Sequence, residues 1–346
     1  MELRAREGDF IETDEGLIFD VKGLIHPPER VIAYLRYYPD PNGHRIRDRI
    51  RYKKVYSLDS RYEYLKSRYP LYLFHDKISG ERLQGIPRKY IKSIFHPEGL
   101  MKKVLQRGRN VEQRKMSILL QKTFELAKLI QSQSGINFNK IGITGSFLVD
   151  LETDESDIDL IIYGSRNANI VKKALTTLHS SHQIIIHPYS EKNISDLYEA
   201  RGKISNLQFD EFVKIEQRKK LQGVYKETDY YIRCIKDWNE IQYKYGDVYY
   251  KNLGIATIQG KIIDDTESIL TPCKYSIETS KVIDGIKITE QIREIVSFRG
   301  RFCEQAQKGE EIEARGKVEL VRFENEEYLR LYLGTYNEDY FKILNL

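Results

Sequence analysis

The stretch from Ile141 to Gly164 reads IGITGSFLVDLETDESDIDLIIYG, and two of its parts carry groups that could do chemistry together. Gly145-Ser146 closes a short apolar run, and ten residues later Asp157 and Asp159 open another. Alternate residues of a strand point to the same face. Both carboxylates therefore project together, where the chain has just left a loop. Close like charges repel unless a cation sits between them, and oxygen-only ligands suit Mg²⁺ or Mn²⁺. Gly145 lets the backbone approach a ligand with no side chain in the way. Ser146, with backbone N–H groups at the start of the next turn, suits phosphate oxygens. Metal-binding carboxylates facing a phosphate-binding turn describe a nucleoside triphosphate site. The plain alternative is a pair of solvated acids opening an ordinary strand beside an unrelated Gly-Ser turn.

These residues need a framework. Met116, Leu119, Leu120, Thr123, Phe124, Ala127 and Ile130 fall at three-to-four spacing, which predicts a helix over 110–134. Asn110 is its expected N-cap, with Gln113 three positions on, and Gly135 its expected C-cap. After the Asp157 strand a second helix is expected, with Ile170, Val171, Ala174, Leu175 and Leu178 on one face. A third strand, Gln183 to His187, ends at Pro188. Residues 191–222 read as charged helix ending in Arg218, Lys219 and Lys220, where cations favour the helix dipole. GVYKETDYYIRCI then reads as a hairpin turning at Lys226-Glu227-Thr228.

A Gly-Ser turn after an apolar strand, a dozen residues, then Asp-x-Asp inside another apolar strand resembles the signature of the nucleotidyltransferase superfamily. That superfamily includes DNA polymerase β, poly(A) polymerases and CCA-adding enzymes. The extended form SDIDL…IIYG looks most like the predicted nucleotidyltransferases of archaea. The resemblance implies two Mg²⁺ (or Mn²⁺) ions on Asp157 and Asp159, completed by a third carboxylate on a neighbouring strand. The strand QIIIHPY holds no acid, so Asp229, opening DYYIRCI, is the expected third ligand, with Asp264 or Asp265 as the fallback. Small members often place Arg-Gly three residues after the Ser, where this chain has Val149-Asp150. Contacts to the triphosphate are then expected from Arg218 or Lys219.

The chain has 346 residues, 40% hydrophobic and 31% charged, enough for two or three globular domains. Its three cysteines (Cys234, Cys273, Cys303) form neither a zinc pattern nor a disulfide framework. No stretch approaches the ~18 apolar residues of a membrane helix, and MELRAREGDFIETDEG is too charged for a secretory signal. A cytoplasmic protein with no membrane partner is expected. Net charge is +5, but residues 1–110 carry 23 Lys and Arg against 15 Asp and Glu. The basic excess thus belongs to the N-terminal third.

The fold expected is α+β, with a compact nucleotidyltransferase core of mixed sheet and helices. An N-terminal basic, Tyr-rich α/β module (1–108) precedes the catalytic domain (109–245). A C-terminal small β-barrel or sandwich (246–346) follows, read from several short strands punctuated by turns. In the N-terminal module, Pro39 to Gly43 is a strong turn signal. Arg45, Arg47, Arg49, Arg51 and Lys53 then recur at period two, and on one strand they would line a basic ribbon. Cations interleaved with tyrosines suit a nucleic-acid backbone with stacked bases; an exposed hairpin carrying solvated arginines is the alternative.

Together these readings predict transfer of a nucleoside monophosphate from an NTP, ATP foremost, to an acceptor hydroxyl. The acceptor expected is an RNA 3′ end, tRNA-like. Two alternatives stay open: AMP transfer to a protein hydroxyl, and a non-catalytic nucleotide or RNA sensor.

Overall fold

The computed structural model describes residues 4–109, 116–181, 185–201, 207–288 and 290–345. It is α+β, with three sheets and, among the described residues, six α-helices.

The first sheet is built from β1 (Phe10–Thr13), β2 (Ile18–Val21), β3 (Arg30–Pro39), β4 (Arg45–Arg47), β5 (Ile50–Lys54), β6 (Leu73–His75), β7 (Arg82–Pro87) and β8 (Ile91–Phe95). The strand order is β4-β5-β3-β2-β1-β8, with β7 pairing to β3 and β6 to β7. Helix α1 (Leu58–Arg68) follows β5, and its Leu65 joins Ile11, Phe19, Val21, Leu35 and Tyr72 in the core on one face. Phe10, Ile18, Tyr37 and Tyr52 form a second apolar patch on the other face. That is why β1 and β2 are buried at every residue.

The basic run does not form one strand. Asp48 and Arg49 take positive φ (50° and 66°) and turn the chain between β4 and β5. A two-residue turn of this hand matches the twist of a hairpin. Residues directly opposite in an antiparallel pair share a face, and Arg45 lies opposite Tyr52, Ile46 opposite Arg51 and Arg47 opposite Ile50. Arg45 and Arg47 therefore share the face of Tyr52, whereas Arg51 and Lys53 share the other. The expected single-faced ribbon is replaced by a two-faced hairpin.

The central sheet has the order β11-β12-β13-β10-β9. Its strands are β9 (Ile141–Ile143), β10 (Ile158–Tyr163), β11 (Ile186–His187), β12 (Gln222–Tyr225) and β13 (Thr228–Ile235). Only β10 and β13 run parallel. Ile158, Leu160, Ile162, Tyr230, Ile232 and Cys234 face a core shared with α2 (Pro97–Arg109), α3 (Ile118–Ser134) and α4 (Ser165–Ser180). Helix α3 starts at Ser117, whose side chain accepts from Leu120 N–H, and ends at Gly135 in the left-handed region, as its composition predicts. The earlier start with Asn110 and Gln113 lies outside the described residues, as do positions 183 and 184 of the third strand. Helix α2 has no counterpart in the sequence reading; its Met101 and Val104 are buried in the same central core. The hairpin at Lys226-Glu227 forms as expected, both residues at positive φ.

Helices α5 (Glu191–Arg201) and α6 (Phe209–Arg218) pack Ile194, Phe212, Val213 and Ile215 into the C-terminal core. That unit comprises β14 (Val248–Asp264), β15 (Cys273–Gly285), β16 (Ile292–Ser297), β17 (Glu311–Phe323), β18 (Glu326–Leu333) and β19 (Tyr340–Ile343). Pairing runs β14-β15-β16-β18-β17 and returns to β14, with β19 attached to β17. The five-strand circuit is barrel-like, removing most open edges.

Candidate active site between two sheets

Thr144 donates its backbone N–H to the Asp159 carbonyl (3.0 Å), carrying the β9–β10 ladder one step beyond Ile143. Gly145 follows at φ +70° and lies against the Asp159 side chain, where a Cβ would stand 2.1 Å from Oδ2. Its first role is thus to give the carboxylate room, a closer constraint than approach to a ligand. Ser146 is buried and begins a single 3₁₀ turn, Phe147–Val149, without a side-chain cap bond. Asp150, at φ 52°, then reverses the chain.

The loop from Leu148 to Ser156 is held by the N-terminal sheet. Leu148, Val149 and Leu151 pack against Phe10, Ile18, Tyr37 and Tyr52. The Arg45 guanidinium donates to the Leu151 carbonyl and to Ser156 Oγ (3.4 Å). Val149 is fully buried in this contact.

The other face of β10 and β13 carries Asp159, Ile161, Tyr163, Tyr231, Arg233 and Ile235 by alternation. Residues preceding β1 cross it as a strap. Thr144 Oγ1 donates to the Gly8 carbonyl (2.7 Å), and the Arg6 guanidinium lies 3.7 Å from the Tyr163 ring centroid. Arg233 bonds buried Glu7 (2.7 Å), which also accepts from Lys22 (3.0 Å) and Gly23 N–H (2.7 Å).

This setting explains the acidity of Asp159. Burial, and then the like charge of Asp157, push its carboxyl up to about 6, while Arg233, Arg36 and Lys54 pull the other way. Burial, then Arg36 and Arg45, draw Lys54 down to about 8 against the pull of Asp159 and Asp157. Two acids at one strand end, the buried one raised further by the charge of the other, make an all-oxygen donor pair that a hard divalent cation would relieve.

Arg36 owes its place to a β-bulge. Ile18 pairs with Tyr37 and Phe19 with Leu35, so Arg36 has no partner on β2. A bulge re-aims the side chain it carries.

Asp229 sits where a neighbouring ligand is expected along the sheet. Ile158 pairs with Tyr230, and each is preceded by an acid, Asp157 and Asp229. Asp157 thus stands just before β10 and Asp229 near the start of β13, at neighbouring ends of strands that lie about 4.8 Å apart. Even so, no group of three or more His, Cys, Asp or Glu side chains among the described residues is gathered to hold a metal. Of the fallback acids, Asp264 ends β14 and Asp265 follows it into a turn; Asp264 accepts from Thr266 N–H (3.0 Å).

Other expectations need correction. Lys219 is buried and bonded to Glu216 (2.6 Å) and the Arg301 carbonyl (2.7 Å). Arg218 pairs with Glu310 of the C-terminal unit (2.8 Å). Both are occupied in tying α6 to the barrel, because a charge beside a buried helix end must be paired. Arg47 is paired with Glu12 (2.6 Å), and Arg45 clamps the motif loop, leaving Arg49, Arg51 and Lys53 exposed. The cations that do reach Asp159 are Arg36, Lys54 and Arg233, none of which the motif suggests. Their only sequence signal is modest: Arg36 and Arg233 are lone charges inside apolar strands, YLRYY and YIRCI.

The molecule is therefore an α+β protein whose acidic strand end and glycine turn lie beneath a cationic sheet. Among the described residues no helix is long and apolar enough to cross a membrane. Over 354 aligned positions it is 32% identical to the uncharacterized protein MJ1086 of Methanocaldococcus jannaschii, with 99% of each chain covered. The chain belongs to the family of that archaeal protein. No family model matches it.

Proposed function

We propose that this chain is a cytoplasmic metal-dependent nucleotidyltransferase with a nucleotidyltransferase-type central core. The observation that carries the reading is the contact of Gly145 with the Asp159 carboxylate, Asp157 standing two residues earlier, just before the strand, with its charge felt at Asp159. Turn and acids are thereby parts of one site. The acceptor oxygen bonds to the α-phosphorus of an NTP, ATP foremost, as the bridge to the β-phosphate breaks. Pyrophosphate leaves and the hydroxyl proton passes to solvent. Mg²⁺ or Mn²⁺ held by Asp157 and Asp159, with Asp229 from the adjacent strand, would neutralise phosphate charge and acidify the attacking hydroxyl. The protein's part is orientation and fixed charge. Arg233, held by Glu7, lends Asp159 positive charge at a distance, and the Ser146 turn borders the acid.

The acceptor proposed is an RNA 3′ end, since Arg49, Arg51 and Lys53 remain exposed on the hairpin beside the site. Buried free thiols at Cys234, Cys273 and Cys303 suit a reducing compartment. A second reading, a nucleotide sensor without catalysis, is favoured by the absence of a gathered third acid among the described residues. Incubation with each labelled NTP, Mg²⁺ or Mn²⁺, and total RNA or lysate separates the possibilities. Label in a ribonuclease-sensitive band supports RNA transfer; label in ribonuclease-resistant protein points to AMP transfer to protein. Failure to release pyrophosphate with any NTP would overturn the enzymatic reading.

A further inference from the structure

Register places two more cations at the site. Tyr37 lies opposite Lys54 and Pro39 opposite Tyr52, so Lys54 shares the face of Tyr37 and Tyr52. That face packs on Leu148, Val149 and Leu151, the loop joining the glycine turn to the acids. Lys54 thus lies at the edge of an apolar contact, over the Tyr56 ring (5.0 Å), with Asp157 and Asp159 within its electrostatic reach. Arg36, released from pairing by the bulge, is within reach of Asp159 as well.

The neighbouring cations are committed to fixed partners. Arg45 is tied to Leu151, Arg47 to Glu12, Arg61 to the Val55 and Tyr56 carbonyls, and Arg233 to Glu7. Among the described residues Arg36 and Lys54 make no ion pair, although both are half-buried. Partly desolvated cations lacking a carboxylate partner favour an incoming anion. They stand across from the carboxylates, where a dense anion bringing its own divalent cation could lie between.

We propose that Arg36 and Lys54 form the polyphosphate-binding half of the site, so that the ligand is gripped between the N-terminal and central sheets. This rests on the nucleotidyl-transfer reading and supplies the anchor that Arg218 and Lys219 cannot. A triphosphate fits better than an RNA backbone, whose singly charged phosphates are spaced well apart. The bulge at Arg36 then has a use: it turns a strand residue into a ligand contact without breaking the apolar contact made by Tyr37.

Calorimetric titration of the full chain with inorganic tripolyphosphate in EDTA, and with ATP and Mn²⁺, tests this. Lys54→Ala and Arg36→Gln should each weaken both ligands at least tenfold, as expected when a bond to a charged group is removed. Lys281→Ser, on an exposed strand of the C-terminal unit, should change neither. In EDTA, Asp157→Asn should bind tripolyphosphate more tightly than wild type, since it removes a repelling charge, an effect that a purely structural pair of cations would not produce. Wild-type affinity in a folded Lys54→Ala, Arg36→Gln double variant overturns the proposal and leaves nucleotidyl transfer standing. So does loss of oligouridylate binding with tripolyphosphate binding intact, which would assign the cations to the acceptor strand. If wild-type protein binds neither ATP nor tripolyphosphate, the functional reading itself fails.

Discussion

Replacing Asp159 with Asn should stabilise the metal-free protein while abolishing its activity. Asp159 is raised from 3.8 to about 6, chiefly by burial and then by Asp157. Each tenfold change in proton affinity is worth about 1.4 kcal/mol, so the ionised form costs the folded chain at most about 3 kcal/mol. Partial exposure of the side chain brings this to about 1–2 kcal/mol. At about 2.1 cal/mol/K of unfolding entropy per residue, that is a rise of roughly 1–3 °C in Tm. The sign with pH follows from linkage. The folded state holds the proton more tightly, so the cost is fully present at pH 8. It falls as pH drops through about 6 and is gone near pH 4, once the unfolded carboxyl is also protonated. Scanning calorimetry of wild type and Asp159→Asn in EDTA should therefore show the variant ahead at pH 8 and the two converging at pH 4.5. Adding Mn²⁺ at pH 8 should raise wild type alone, by mass action on the folded state. A variant less stable than wild type at pH 8, or a gap independent of pH, would refute this account of the site.

Asp157→Ala should likewise abolish pyrophosphate release and sharply weaken Mn²⁺ binding with the circular dichroism spectrum unchanged; continued turnover would place the chemistry elsewhere. Gly145→Ala should displace the Asp159 carboxylate, because its Cβ would lie 2.1 Å from Oδ2 at a φ of +70°; Mn²⁺ affinity should fall at least tenfold, and an unchanged Kd would separate turn from acids. For RNA, Arg49, Arg51 and Lys53 changed together to Ser should flatten the plot of log affinity against log salt, by about 0.7 for each single-strand phosphate no longer neutralised. Arg47→Ser should leave that slope as it is, its charge being engaged by Glu12.

The acids and the turn were legible because their arrangement is local. Gly145 and Asp159 are joined by one antiparallel pairing, and Asp157 precedes Asp159 by two residues, close enough for its charge to be felt there. The ends of α3 at Gly135 and of β12 at Lys226-Glu227 were readable for the same reason. Arg36 was not, since a bulge exists only in relation to the partner strand, and nothing near YLRYY says that Phe19 will pair with Leu35. The basic run misled because period-two spacing continues unbroken through Asp48-Arg49, a turn that lacks glycine. Arg218 and Lys219 misled because their partners, Glu310 and the Arg301 carbonyl, lie far along the chain.

The strap before β1 has a consequence for the order of assembly. Glu7 bonds Arg233 across 226 positions of sequence, so Glu7 must wait for a long stretch of later chain before its partner exists. Contacts of such separation form late, after the entropy of closing the intervening loop has been met. Until then Ile161, Tyr163 and Ile235 on the open sheet face lack their cover. The cover over the face that carries Asp159 would thus arrive late in folding: products ending before β13 would hold the polyphosphate-facing cations but not Arg233, the partner of Glu7.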